Sequence, residues 1–300
     1  MGYRVSCPMA GPGTRSFGVI DSHTHDVPLS RKLPALFKRP AGTFSAAGLD
    51  LQRAEAARLP DLIQDMDRAG VAASLVVLHE ETDEFFRLAS EHPGRLFGLA
   101  YYDSLDPGAG LQRVRALCDA CPALVVGVTT AYAHFRQDPR LKEFAPLYEY
   151  CIERGLPVQI HLGTDPASED GLRPTAVGVL ARTYPGLRLV CRFFGRGPYQ
   201  MPEILRPFSN LFFQVDGPGR AEPNGKQAVG DLRSLVRTVG SHRLMFGSGW
   251  RGMDPEYPHR LETIRRLPWW QRRNVCWRTA ARVYGPRIVG TPSQSQRPSR

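Results

Sequence analysis

Two histidines stand two residues apart in the segment VIDSHTH, at positions 23 and 25. Successive side chains of an extended strand point to opposite faces, so His23 and His25 share a face and both imidazoles can reach one point. That is the geometry a divalent metal needs from two ligands, and imidazole suits zinc, manganese or iron. A third histidine, His161, ends the apolar segment GLPVQIHLG. Acidic residues follow other apolar runs: Glu80 and Glu81, Asp103, and Asp216, with Asp254 and His259 beyond the last run. Asp216 has the best position for moving a proton. Asp254 precedes a proline in GMDPEYP, where aspartate commonly forms turns. A lone histidine at the end of an apolar run, His79, reads as a hydrogen-bonded packing residue. His92, His134 and His242 are assigned no role.

Such groups act together only if the chain brings them to one place. Short β-rich runs at 18–21, 72–78, 96–100, 124–129, 157–160, 187–193, 211–215 and 243–246 alternate with segments of helical periodicity. Among the latter are Leu59, Leu62, Ile63, Met66; Leu111, Val114, Leu117; Phe144, Leu147, Tyr148, Cys151; and Leu232, Leu235, Val236, Val239. Eight such units predict an α/β protein, a single (β/α)8 barrel over 18–286. An N-terminal extension (1–17) precedes it and a Ser-, Pro- and Arg-rich disordered tail (287–300) follows. The alternative, a doubly wound open sheet, lacks the glycine-rich turn it needs after the first strand. In a barrel the strand ends that carry His23, His25 and His161 all meet at the C-terminal mouth, where active sites sit. The long insert from Asp26 to Arg58 leaves from the same mouth, placed to serve as a lid, a basic wall or a plain surface loop.

Composition narrows the class. A chain of 300 residues with 42% hydrophobic and 23% charged residues carries enough apolar surface to fold. Its longest apolar runs fall far short of the roughly 20 residues that span a bilayer, and no secretory h-region is visible, so a cytoplasmic location is expected. Six cysteines are too sparse for a disulfide framework. The one CxxC pair, Cys118 and Cys121, reads as helix-end packing. The net charge of +10 comes without a dense basic run or a nucleic-acid motif; it is compatible with a small-molecule substrate that is anionic, which an arginine-lined cleft would concentrate.

Four segments in order, VIDSHTH, DPRLKEFAPLYEYCIERGLPVQIHLG, LRLVCRFFGRG and HRLMFGSGW, resemble the amidohydrolase superfamily. The likeness is to its amidohydrolase-related branch, which contains aminocarboxymuconate semialdehyde decarboxylase and the resorcylate decarboxylases, and it runs from Gly18 to Gly285. The resemblance implies a (β/α)8 barrel with a divalent metal, zinc above all, at its C-terminal end. It also implies hydrolysis or non-oxidative decarboxylation of a small carboxylated or cyclic substrate. Within it His23, His25 and His161 are the metal ligands, and homodimers are common.

Two positions depart from that pattern. Phe193 stands where the family has a catalytic histidine, and Gly249 where it has an aspartate that binds metal and moves protons. Thr279 replaces a common asparagine. Neither Phe nor Gly can do the chemistry lost, so the alternative is a metal-free barrel: a ligand- or partner-binding protein, or an enzyme reused for rearrangement, cyclisation or dehydration. For substrate contacts the sequence offers Arg196, whose guanidinium suits a carboxylate, and Trp250 and Arg251, placed to cover the pocket. If Phe193 faces the mouth, Arg192 points toward the helices.

Overall fold

The computed structural model describes residues 18–26, 56–79, 82–132, 137–161, 174–193, 205–216, 226–250, 257–285 and 288. Eight parallel strands pair in sequence order: β1 (Val19–His25), β2 (Val71–Leu78), β3 (Leu96–Tyr102), β4 (Val125–Thr130), β5 (Val158–His161), β6 (Leu189–Phe193), β7 (Leu211–Asp216) and β8 (Leu244–Gly247). Between them lie α1 (Leu59–Ala69), α2 (Thr82–Glu91), α3 (Pro107–Ala120), α4 (Ala145–Glu153), α5 (Pro174–Thr183) and α6 (Lys226–Val239). After β8 come α7 (Tyr257–Arg265), α8 (Trp269–Arg273), a π-helical turn (Asn274–Arg278) and α9 (Thr279–Tyr284). This is the (β/α)8 barrel that the alternation predicts.

The helices form where their apolar residues recur every three or four positions. In α1, Leu59, Leu62, Ile63, Met66 and Ala69 are buried, the Asp61 carboxylate accepts from the Arg58 N–H at 2.7 Å, and Gly70 ends the helix at φ 70°. In α6 the expected Leu232, Leu235, Val236 and Val239 are buried. Cys118 and Cys121 lie in the same layer, between helices and barrel, as the helix-end reading expects.

Strands covered on both faces have two sets of buried side chains. One set, including Val76, Leu78, Ala100, Ile160, Leu189, Cys191 and Phe246, packs against the helices. The other fills the barrel: Ile20, Ala73, Leu75, Val77, Phe97, Leu99, Val126, Val190, Phe212 and Met245. Ala280, Val283, Tyr284 and Ile288 join this inner set from the C-terminal end of the chain. Ile288, expected in the tail, is fully buried there, whereas 1–17 and the rest of the tail lie outside the described residues, as do the insert residues 27–55.

The seam between β8 and β1 is closed by short contacts. Ser22 Oγ donates to the Phe246 carbonyl at 2.7 Å, the Gly249 N–H to His23 O at 2.9 Å and the His25 N–H to Trp250 O at 3.2 Å. The Asp21 carboxylate accepts from the His23 N–H, the Ser248 N–H and the Ser248 hydroxyl, at 3.1, 2.9 and 2.5 Å. The β1–β2 register shifts between Asp21 and Thr24. Ile20 faces the interior, so strict alternation would turn His23 and His25 outward. The irregularity re-phases the strand, and both histidines face in.

Candidate active site at the barrel mouth

His23 and His25 are buried and converge, with Nε2 atoms 3.0 Å apart and ring planes at 82°. His23 Nδ1 lies 2.8 Å from Gln159 Oε1. The amide nitrogen of Gln159 donates to the Ser22 carbonyl at 2.7 Å and to the Tyr284 hydroxyl at 2.5 Å. A carbonyl only accepts, so this orientation of the amide is required, and its oxygen in turn only accepts from His23. His23 therefore carries its proton on Nδ1. Burial, then Arg192 and His25, hold its pKa well below the ordinary histidine value, against the opposing pull of Gln159. The ring is neutral, its bare Nε2 faces His25, and the proton between the two Nε2 atoms belongs to His25.

The chain of imidazoles continues. His25 Nδ1 lies 3.5 Å from His79 Nε2, and the two rings stack with centroids 5.7 Å apart. The His79 N–H donates to the Asp26 carboxylate at 2.7 Å, and its ring meets Tyr101 at 4.5 Å between centroids. The expected packing histidine thus adjoins the site histidines. Burial, with Asp103 adding to it, pushes the Tyr101 phenol above its ordinary range.

His161 is buried at the end of β5, in register with Arg192 of β6, and Arg192 is in register with Gln214 of β7. Along β6, Val190 belongs to the inner set and Cys191 to the outer, so Arg192 faces in. It is only 3% exposed, and its Nη2 comes within 3.9 Å of the point where a Cβ on Gly249 would sit. The orientation expected from a mouth-facing Phe193 is therefore reversed. Gly249 has φ +65°, a left-handed conformation that glycine adopts without strain, and its missing side chain leaves the space before Arg192 open.

Trp250 also departs from expectation. It is fully buried in the layer between barrel and helices, its indole N–H donating to Asp65 of α1 at 2.8 Å, so it braces the seam instead of covering the mouth. Asp103 accepts from the Leu105 N–H at 3.0 Å in a turn. Asp216 closes β7 in register with Gly247. Thr279 is buried beneath the barrel, its hydroxyl 3.4 Å from the Ser241 carbonyl, and His242 lies in the turn entering β8 at that same end. Arg196, Arg251, Glu80, Glu81, Asp254 and His134 lie outside the described residues.

Two histidine nitrogens 3.0 Å apart match neighbouring ligand positions on an ion at about 2.1 Å. The rest of the donor set does not fit a divalent ion. Among the described residues no three His, Cys, Asp or Glu side chains form a group that could hold one, although His161 lies near enough to His23 to add to the lowering of its pKa. Gly249 offers no anionic ligand, and the guanidinium beside it opposes a doubly charged cation.

The amidohydrolase family profile matches residues 20–285, and the chain belongs to that family. Solved structures share the fold. One is an amidohydrolase from Burkholderia multivorans with bound zinc: TM-score 0.65, 17% identity, 89% of this chain and 98% of that one covered. Another is the 5-carboxyvanillate decarboxylase LigW from Sphingomonas paucimobilis: 0.57, 15%, 90% and 99%. A third is a dihydroxybenzoic acid decarboxylase from Polaromonas sp. JS666 with bound manganese and the inhibitor 2-nitroresorcinol: 0.60, 12%, 89% and 96%. No curated protein matches the sequence significantly. No described helix is long and apolar enough to cross a membrane.

Proposed function

We propose that this chain is a lyase or hydrolase acting on a small carboxylated or cyclic substrate at the C-terminal mouth, with non-oxidative decarboxylation of an aromatic acid as its leading reaction. One observation carries the reading: a buried guanidinium and a proton-sharing histidine pair face the same end of the barrel. The names of two structural neighbours, both decarboxylases of aromatic acids, support it. Arg192 holds an anionic group of the substrate. As the carbon–carbon bond breaks, the carboxylate leaves as carbon dioxide and the electron pair left on carbon takes the proton of His25 Nε2, which solvent restores. In hydrolysis the same pair takes a proton from the attacking water. Asp216, by its place at the end of β7, is the candidate for passing protons to solvent.

Carbon dioxide release from a panel of hydroxybenzoates, and ring opening of a panel of lactones, test this with wild type and His25→Gln. Turnover in wild type that falls at least a hundredfold in the variant is expected. Turnover indifferent to His25 refutes the assignment. A second reading, a barrel that binds its ligand without turnover, is favoured by Gly249 and Phe193 at the two altered positions. Tight binding of panel members with no product from any of them would select it.

A further inference from the structure

We infer that Arg192 is a built-in anion site that binds a substrate carboxylate without a metal ion, in the place where the amidohydrolase likeness calls for an ion and its aspartate. The inference deepens the proposed function and rests on its substrate class. Three observations lead to it. The guanidinium is turned inward by the alternation of β6 and fixed in register between His161 and Gln214. It is buried to 3% exposure, and burial strengthens its pull on an anion because little water screens it. The residue across from it is Gly249, where a Cβ would stand in ordinary contact with Nη2 at 3.9 Å, so a longer side chain built there could reach the guanidinium. In this chain that side chain is missing, and a ligand carboxylate can take the position.

A guanidinium binds a planar carboxylate through two parallel N–H bonds, which also fixes its plane. The His23 and His25 rings face one another through their Nε2 atoms, and imidazoles bring no negative charge to compete with the bound anion. An ion would have to enter against the guanidinium; a carboxylate enters toward it.

The test uses the full chain treated with chelator, and calorimetric titration with 2,6-dihydroxybenzoate and its uncharged amide. Wild type is expected to bind the carboxylate without added metal, at least tenfold tighter than the amide. Arg192→Gln should abolish that preference. Should Arg192→Gln fail to fold, Gly249→Asp and Gly249→Asn decide. Both tolerate the left-handed backbone comparably, but only the aspartate can pair with Arg192. Carboxylate binding should fall at least tenfold in Gly249→Asp and far less in Gly249→Asn. Binding that appears only with zinc or manganese, a preference that survives Arg192→Gln, equal behaviour of the two Gly249 variants, or no binding of the carboxylate at all would each overturn the inference. Metal-free binding without turnover sinks the proposed function and leaves this inference standing; metal-dependent turnover does the reverse.

Discussion

Replacing Asp21 by alanine should loosen the barrel seam and the site together. The carboxylate is fully buried and accepts three hydrogen bonds, two from backbone N–H groups of His23 and Ser248 and one from the Ser248 hydroxyl. Alanine strands both amides in the interior, at about 2 kcal/mol each, while the hydroxyl can turn to another acceptor, so the loss is about 4 kcal/mol. For a chain of this length that corresponds to a midpoint about 6 °C lower. The Asp21→Asn variant keeps one oxygen for the amides and loses the charge-assisted bond to Ser248, a cost of about 1.5 kcal/mol. Urea unfolding, followed by the fluorescence of the buried Trp250, whose backbone N–H donates to Ser248 Oγ at 2.9 Å, measures both variants. A loss below about 1 kcal/mol for Asp21→Ala would refute the view that this carboxylate holds the irregularity in β1.

Other expectations follow from the same contacts. Because burial and Arg192 keep His23 neutral in the fold, the unfolded chain takes up a proton there below about pH 6.5 and the native chain does not. Stability should therefore fall as pH drops through that value, and His23→Gln should flatten the slope by about 1.4 kcal/mol per pH unit; an unchanged slope in urea titrations at pH 5.5 and 7.5 would contradict the neutral assignment. Asp65→Ala removes the acceptor of the Trp250 indole N–H and should cost about 1–2 kcal/mol, seen as a lower urea midpoint with a shifted Trp emission. Arg243 donates to the carbonyls of Leu211, Arg206 and Phe208 at 2.9, 2.8 and 2.6 Å, tying the turn before β7 to β8. Arg243→Ala should lower the thermal midpoint by several degrees, from about 3 kcal/mol of lost bonds, yet leave the carboxylate-over-amide preference intact; loss of that preference would show that the guanidinium serves the site.

The fold was legible because period-two and helical patterns alternate cleanly. The strands observed at β2 through β8 sit within two residues of the expected runs, and α1 and α6 bury the residues their spacing singles out. The first strand runs on to His25, four residues past its apolar stretch, because its polar residues are paired inside: Asp21 with Ser248, Ser22 with Phe246, and Thr24 with the Ser74 hydroxyl at 3.0 Å. The histidine pair was legible from its spacing. Gln159 lies two residues before His161 on the same face of β5, and that alternation was a usable signal for a partner of His23. The facing of Arg192 was not legible, since an alignment of LVCRFFGRG fixes which residue is opposite which only if the strand keeps one phase. Trp250 was misplaced for a related reason: the turn through Gly249 at φ +65° sends the next side chain toward α1, and sequence position alone does not report that reversal.

On the metal-free reading proposed above, the inward Arg192 and the glycine at the aspartate's place make electrostatic sense as one exchange. A divalent ion held by an aspartate and neutral histidines contributes a net charge of +1 to its pocket. An arginine facing a glycine brings a charge of +1 of its own. On that reading the attraction for an anionic substrate is kept when both the ion and its carboxylate ligand give way, whereas either change alone would shift the pocket by a full charge. An arginine added beside the aspartate would be neutralised by it, and a glycine in place of the aspartate would leave an ion under-liganded. What the exchange does not keep is Lewis acidity, because a guanidinium binds an oxygen without acidifying a water on it. On the proposed reading, chemistry at this mouth falls to groups that move protons themselves, and the neutral His23 facing the Nε2 of His25 is such a pair. Decarboxylation, which needs an anchored anion and a proton for carbon, suits that set of parts better than attack by a metal-activated water.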